Sequence, residues 1–143
     1  MNRFAFLLFF GISAAGAADF LSVQENAAVL YDAPSRAATP LFVVQRNYPL
    51  EVIVVLESWI KVRDAAGALT WIERKSLSEK RTLLVTAPVA ELRARPEDGA
   101  PVLFSVGRNV VLDLVEPAQS GWLRARYIDG TVGFVRATLV WGG

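Results

Sequence analysis

The sequence of 143 residues contains no cysteine and no histidine. Without cysteine the protein can form no disulfide, no thiolate nucleophile and no cysteine-ligated metal centre. Without histidine it lacks the most frequent general base and the commonest metal ligand. Its formal charge is only +1, whereas nucleic-acid binding usually requires a strongly basic face. We therefore expect no metal site, no cofactor, no nucleic-acid partner and no catalytic triad built on histidine.

The N-terminal segment 1–18 has the three-part layout of a secretory signal peptide. A single arginine precedes an apolar stretch at 4–12, and small residues follow it. This stretch is much shorter than the ~20 residues that a membrane-spanning helix needs. The pattern predicts cleavage after Ala17 or Ala18 and a periplasmic or secreted protein with no membrane span. The alternative interpretation is a buried N-terminal helix.

The remainder of the chain is an internal duplication. The segments that align are 41–53 with 103–115, and 59–72 with 122–135. The first pair has an offset of 62 residues and the second an offset of 63, so one inserted residue relates the two copies. Self-similarity of this kind indicates a repeated structural unit. The sequence predicts a first repeat at 19–80, which is the more degenerate, and a second at 81–143.

Each repeat carries the signals of short β-strands. Residues 59–63 and 122–126 alternate apolar and polar side chains with the period of a half-buried strand. Asp129-Gly130 is typical of β-hairpin turns, and most prolines lie at strand margins, where a missing N–H group is tolerated. Segment 73–81 is the best candidate for a short helix or 3₁₀ turn followed by a linker. The patterns predict an all-β protein.

Two further expectations follow from the duplication. Domains of about 60 residues are marginally stable alone, so we expect the repeats to pack against each other, with 83–85 as a shared strand or interface. Asn47 and Asn109 occupy matched positions just before a strand. Because asparagine tolerates the left-handed conformation, we predict turn residues with positive φ there.

Aromatic and basic residues form the best candidate for a ligand site. In the repeated hairpin, Trp59 with Trp71, and Trp122 with Phe134, are candidate cross-strand neighbours. One interpretation is that these rings complete the small cores. The other is a shallow aromatic groove rimmed by basic residues, suited to peptides or glycans. The candidate ligand-binding residues are Trp59, Trp71, Arg95, Trp122, Arg124, Arg126 and Tyr127.

Residues with catalytic potential stand in unfavourable surroundings. Ser58 and Lys61 match the S-x-x-K spacing of a serine nucleophile motif, but that motif needs a helix. In a strand, positions i and i+3 face opposite sides. Glu97 and Asp98 lie in a turn, where adjacent carboxylates diverge into water. We therefore predict no catalytic residues and no enzyme activity.

The order of these features is similar to that of bacterial SH3-like domains. Three stretches carry the resemblance. Residues 71–82 are similar to the family's junction after a first repeat, 92–96 to the opening of a second, and 139–142 to its C-terminal end. The chain resembles secreted proteobacterial proteins with two such repeats. The resemblance implies two tandem small SH3-like barrels of five strands each, and binding rather than catalysis.

The predicted leader, the duplication and the resemblance together suggest a function. We expect a monomeric, non-catalytic binding module whose partner is cell-wall peptidoglycan or a cell-envelope protein or peptide. One alternative is a structural or regulatory partner subunit of an envelope protein. Another is a hydrolase that uses carboxylates or serine and lysine.

Overall fold

The computed structural model describes residues 19–143, and the predicted signal peptide with its cleavage sites lies outside them. The first repeat contains β1 (Phe20–Val23), β2 (Ala27–Tyr31), β3 (Pro40–Gln45), β4 (Pro49–Val55), β5 (Trp59–Arg63), β6 (Leu69–Glu73) and β7 (Leu77–Ser78). The second contains β8 (Thr82–Val85), β9 (Val89–Arg93), β10 (Val102–Gly107), β11 (Val111–Gln119), β12 (Trp122–Arg126), β13 (Val132–Arg136) and β14 (Val140–Trp141). In the described part of the chain, no helix is long and apolar enough to cross a membrane.

The two repeats form separate antiparallel sheets with the same strand order. The orders are β3-β2-β6-β5-β4-β1-β7 and β10-β9-β13-β12-β11-β8-β14. Counterpart strands begin 62 residues apart up to β4 and β11, and 63 residues apart from β5 and β12 onwards. The inserted residue therefore lies between the starts of β11 and β12, and β11 is two residues longer than β4. The all-β class and the duplication are confirmed.

The expected number of strands in each repeat is wrong, because each sheet has seven rather than five. The shortest strands are the last of each repeat. The last, β7 and β14, have two residues each and follow 3₁₀ turns at Arg74–Ser76 and Ala137–Leu139. Two residues are too few to produce an alternating pattern that a sequence can reveal. The 3₁₀ turn expected within 73–81 is present.

Each sheet buries one face in a core of its own. The fully buried residues that correspond between the repeats are Leu30 and Leu92, Leu50 and Leu112, Val62 and Ala125, and Ile72 and Val135. Along β5 and β12 these residues alternate with more exposed ones, as expected when only one face of a sheet is covered. The outward-facing residues contribute less to the core, so their side chains can differ between the two repeats.

Each repeat has an asparagine turn at the same position, and each turn is held within its own repeat. Asn47 has a φ of 70° and Asn109 a φ of 69°, so the predicted left-handed conformation is confirmed. The Asn47 N–H group donates to the Val23 carbonyl at 2.8 Å, and the Asn109 N–H group donates to Val85 at 2.8 Å. Each turn thus ties the start of β4 or β11 to the end of β1 or β8.

The repeats contact each other through Thr82 at the start of β8 and Trp141 in β14. Segment 83–85 is not a strand shared by both sheets, because among the described strands β8 pairs only with β11 and β14, and Leu83 and Val85 pack in the core of the second repeat. The Thr82 hydroxyl donates to the Asn47 carbonyl at 2.6 Å. The Trp141 indole N–H group donates to the Pro49 carbonyl at 3.2 Å. The Trp141 ring also meets Phe20 edge-on, with centroids 5.1 Å apart. These contacts fix the turn before β4 against the end of the second repeat.

Candidate functional site

A cluster of three aromatic residues covers the outer face of the first sheet. Tyr31 lies opposite Trp71 between β2 and β6, and its ring meets Trp59 edge-on with centroids 5.6 Å apart. Trp59 and Trp71 are diagonal neighbours, because their direct cross-strand partners are Glu73 and Lys61. All three aromatic side chains are partly exposed. We call Tyr31, Trp59 and Trp71 the first aromatic face.

The corresponding face of the second repeat is covered by charged side chains. The Arg136 guanidinium lies 4.6 Å from the centroid of the Trp122 ring, and its Nε donates to Asp98 Oδ1 at 2.9 Å. The Arg124 guanidinium lies 6.0 Å from the centroid of the Phe134 ring. Trp122 is only 7% exposed. Because a cation and its carboxylate cover the indole, little of Trp122 is accessible to a ligand.

Most arginines beside these faces are already paired with carboxylates. The pairs are Arg36–Glu73, Arg63–Glu51, Arg93–Glu91, Arg95–Glu97, Arg124–Glu116 and Arg136–Asp98. The hydrogen bond from Arg36 lowers the pKa of Glu73, and that from Arg136 lowers the pKa of Asp98. Such solvent-exposed pairs contribute little to stability, because water and salt screen them. Each carboxylate nevertheless offsets the positive charge that an anionic ligand would need.

A polar cleft of about 450 Å³ lies between the two repeats. The first repeat contributes 45–47, in the turn before β4, and the linker contributes Lys80. The second repeat contributes Asn109, at the equivalent turn, and 126–128 of the β12–β13 hairpin. We call this space the inter-repeat cleft. Because its walls come from both repeats, it exists only when they are docked.

The inter-repeat cleft carries an excess of positive charge. Its basic residues are Arg46, Lys80 and Arg126, and its acidic residue is Asp113. Lys80 Nζ lies 3.3 Å from Asp113 Oδ1. The ion pairs among residues 19–143 include neither Arg46 nor Arg126. Two arginines are therefore available to an anionic ligand.

Comparison with known families decides the identity of the fold. The family model described as the bacterial SH3 domain matches residues 24–79 and, separately, residues 87–142. The chain belongs to the bacterial SH3 domain family. Proteins of this family use the domain as a binding module. Among curated proteins, none matches the sequence.

The bacterial SH3 domains also resemble solved structures of low sequence identity. NlpC2 from Trichomonas vaginalis is 14% identical with a TM-score of 0.42, covering 90% of this chain and 49% of that one. NlpC1 from the same organism is 15% identical with a TM-score of 0.41, covering 90% and 47%. An NlpC/P60 family protein from Bacillus cereus ATCC 10987 is 18% identical with a TM-score of 0.38, covering 85% and 55%. The chain spans about half the length of each structure.

The SH3 domains do not bring the candidate ligand-binding residues together at one site. Trp59 and Trp71 share the first aromatic face, whereas Trp122 and Arg124 lie on the second sheet. Arg126 and Tyr127 line the inter-repeat cleft. Arg95 lies in a turn beside Glu97. Sequence reasoning missed Arg46, Lys80 and Asn109 as cleft residues. Their proximity depends on how the two SH3 domains dock, and no local pattern reveals it. A ligand-binding role for the seven candidates stays a prediction.

The candidate catalytic side chains of the two SH3 domains either lie apart from one another or are paired with arginines. Ser58 precedes β5 and Lys61 lies within it. Glu97 Oε2 lies 3.7 Å from Arg95 Nε, and Asp98 accepts a hydrogen bond from Arg136. Within residues 19–143, no group of three or more acidic, histidine or cysteine side chains could hold a metal ion. Among residues 19–143, Ser58 and Lys61 lie in the first domain whereas Glu97 and Asp98 lie in the second, each paired with an arginine.

Proposed function

We propose that the two SH3 domains form a monomeric, non-catalytic protein that binds cell-wall peptidoglycan in the periplasm or outside the cell. The first aromatic face carries this proposal. Tyr31, Trp59 and Trp71 present partly exposed rings on one side of the sheet. Tyrosine and tryptophan combine a flat apolar surface with a polar edge, and the C–H face of a sugar ring packs against such a surface. The predicted signal peptide supports the location.

Co-sedimentation of the mature protein with purified peptidoglycan tests this function. We expect retention of the wild-type protein, and a clear loss of retention in Trp71→Ala. The matched control is Phe134→Ala, since Phe134 occupies the equivalent position in β13 and is covered by Arg124. Equal losses in both variants, or a wild-type protein that stays in the supernatant, would contradict the proposal.

The edge of the first sheet favours a second candidate function, as a structural or regulatory subunit of an envelope protein. Strand β3 ends the sheet, and Leu41, Phe42 and Val43 on it are 45%, 49% and 68% exposed. An uncovered edge of this kind can pair with a strand of a partner. Crosslinking in cells separates the two candidates. A stoichiometric complex that Val43→Lys abolishes, with peptidoglycan retention unchanged, would favour this second function.

A further inference from the structure

We propose that the inter-repeat cleft is a separate binding site for short peptides that carry two carboxylates. Arg46 and Arg126 are the residues that engage those carboxylates. The inference deepens the proposed function, on which the choice of ligand rests: it assigns the acidic peptide part of the wall polymer to the cleft. The sugar part is left to the first aromatic face.

A comparison between equivalent cross-strand pairs explains why Arg126 is available. In the first repeat Arg63 lies opposite Glu51, and their side chains form an ion pair at 3.2 Å. In the second repeat Arg126 lies opposite Asp113, but Asp113 pairs with Lys80 instead. The aspartate is one methylene shorter than the glutamate, and the linker lysine neutralises it. The same position in the fold thus holds a paired arginine in one repeat and an unpaired arginine in the other.

Arg46 supplies the second cation from the opposite wall of the cleft. Its Nε donates to the Asn26 side-chain oxygen at 3.2 Å, which leaves the two terminal nitrogens of the guanidinium for a ligand. Guanidinium groups bind carboxylates through paired, charge-assisted hydrogen bonds. One arginine on each wall therefore suits a ligand with two separated carboxylates better than a ligand with one.

Amide side chains in the same cleft match the backbone of a peptide. Gln45, Asn47 and Asn109 all line it, and each side-chain amide both donates and accepts hydrogen bonds. The two asparagines are held in left-handed turns by hydrogen bonds of their own N–H groups. Their side chains can therefore pair with peptide groups without a rearrangement of the backbone.

The size and rigidity of the cleft suit a small ligand. Its volume of about 450 Å³ falls within the roughly 300–1,000 Å³ of small-ligand sites, which occur preferentially at domain interfaces. The hydrogen bonds from Thr82 to Asn47 and from Trp141 to Pro49 hold its walls in place. A preformed site lowers the entropic cost of binding.

Calorimetric titration with a synthetic peptide tests the proposal. The probe is acetyl-Ala-Glu-Glu-Ala-amide, and its Gln-Gln counterpart measures the requirement for carboxylates. We expect the mature protein to bind the acidic peptide and to show no detectable binding of the neutral one. Arg46→Gln and Arg126→Gln should each weaken binding by about tenfold or more, because each removes charge-assisted hydrogen bonds.

The duplication supplies matched controls for both variants. Arg108 is the counterpart of Arg46, and Arg63 is the counterpart of Arg126; neither lines the cleft. Arg108→Gln and Arg63→Gln should leave the affinity within about twofold of the wild-type value, because neither side chain lines the cleft and neither can form charge-assisted hydrogen bonds with a ligand there. Equal weakening by controls and cleft variants, equal binding of the neutral peptide, or no binding of the acidic peptide would overturn the proposal.

Co-sedimentation with peptidoglycan separates the cleft proposal from the proposed function. If the wall retains the wild-type protein but the acidic peptide does not bind, the cleft proposal fails and wall binding stands. If the peptide binds through Arg46 and Arg126 but the wall retains nothing, the acidic-peptide site stands and its assignment to the wall fails.

Discussion

The two SH3 domains differ in a pair of equivalent residues beside their cores. In the first domain Tyr48 packs against the core, and Asp64 begins the β5–β6 turn. In the second domain the equivalent residues are Val110 and Tyr127. The aromatic ring has therefore moved from the turn before a strand to a hairpin. The exchange shows that the fold accepts an aromatic ring at either of the two positions.

The exchange also changes how each hairpin turn is held. In the first domain the Asp64 side chain accepts hydrogen bonds from Ala66 and Ala68, at 3.0 and 2.9 Å. The Tyr48 hydroxyl accepts one from Ala65 at 3.2 Å. In the second domain Tyr127 instead packs on Phe104, with ring centroids 5.6 Å apart. The second turn keeps one side-chain hydrogen bond, from the Thr131 N–H group to Asp129 Oδ1 at 2.9 Å, and adds the aromatic contact.

The largest effect is expected where the second domain closes onto the first. Gly142 has a φ of 112°, and a Cβ there would lie 2.5 Å from the Thr82 carbonyl oxygen and 3.0 Å from Pro49 Cβ. We expect Gly142→Ala to lower the free energy of unfolding by about 2–4 kcal/mol, because backbone strain and steric overlap add. Urea unfolding measures the change.

Gly67→Ala is the control for that variant, because Gly67 has a φ of 90° and open space around it. It should cost only the strain of a left-handed residue, about 1 kcal/mol. Equal losses of unfolding free energy in the two variants would show that steric overlap with Thr82 and Pro49 adds nothing to the backbone strain at Gly142.

The next effect sharpens the comparison between the two equivalent phenylalanines. Phe104 packs on Tyr127, whereas in the first domain the residue equivalent to Tyr127 is Asp64, which offers no ring, and Phe42 is 49% exposed. We expect Phe104→Ala to cost about 2 kcal/mol of unfolding free energy and Phe42→Ala about 0.5 kcal/mol. Thermal and urea unfolding of the pair measure the difference. A larger loss from Phe42→Ala would contradict the account of the exchange.

The smallest effect concerns pH. Burial raises the pKa of the Tyr48 hydroxyl above its ordinary value. Above pH 10 the unfolded chain loses this proton more readily than the folded chain, so stability should fall as pH rises through the folded pKa. Tyr48→Phe should lower stability at neutral pH by about 1 kcal/mol, through the lost hydrogen bond to Ala65.

Denaturant midpoints between pH 8 and 11 test this effect on Tyr48. The variant should lose less stability than the wild-type protein as pH rises through that range. Tyr127→Phe is the control, since the Tyr127 hydroxyl accepts no hydrogen bond that corresponds to that of Tyr48 among residues 19–143. Parallel pH profiles for wild type and Tyr48→Phe would contradict the assignment.

The features that the sequence could predict are those that local chemistry determines. The left-handed turns at Asn47 and Asn109 follow from the residue type and its position before a strand. The shared face and diagonal placement of Trp59 and Trp71 depend on the turn length and the pairing register across the hairpin, which strand alternation alone does not determine. The inter-repeat cleft could not be predicted, because contacts such as Trp141 with Pro49 join residues far apart in sequence.

The exchange of Tyr48 and Asp64 for Val110 and Tyr127 has a consequence for folding. Because the two domains have the same strand order, a hairpin of one domain can assemble with the sheet of the other during folding, which is a misfolding route of repeat proteins. A hybrid domain would combine Tyr48 with Tyr127, or Val110 with Asp64. The first combination crowds the core with two rings, and the second leaves a void beside a buried carboxylate. Each domain's own pair of residues therefore identifies the hairpin that belongs to it.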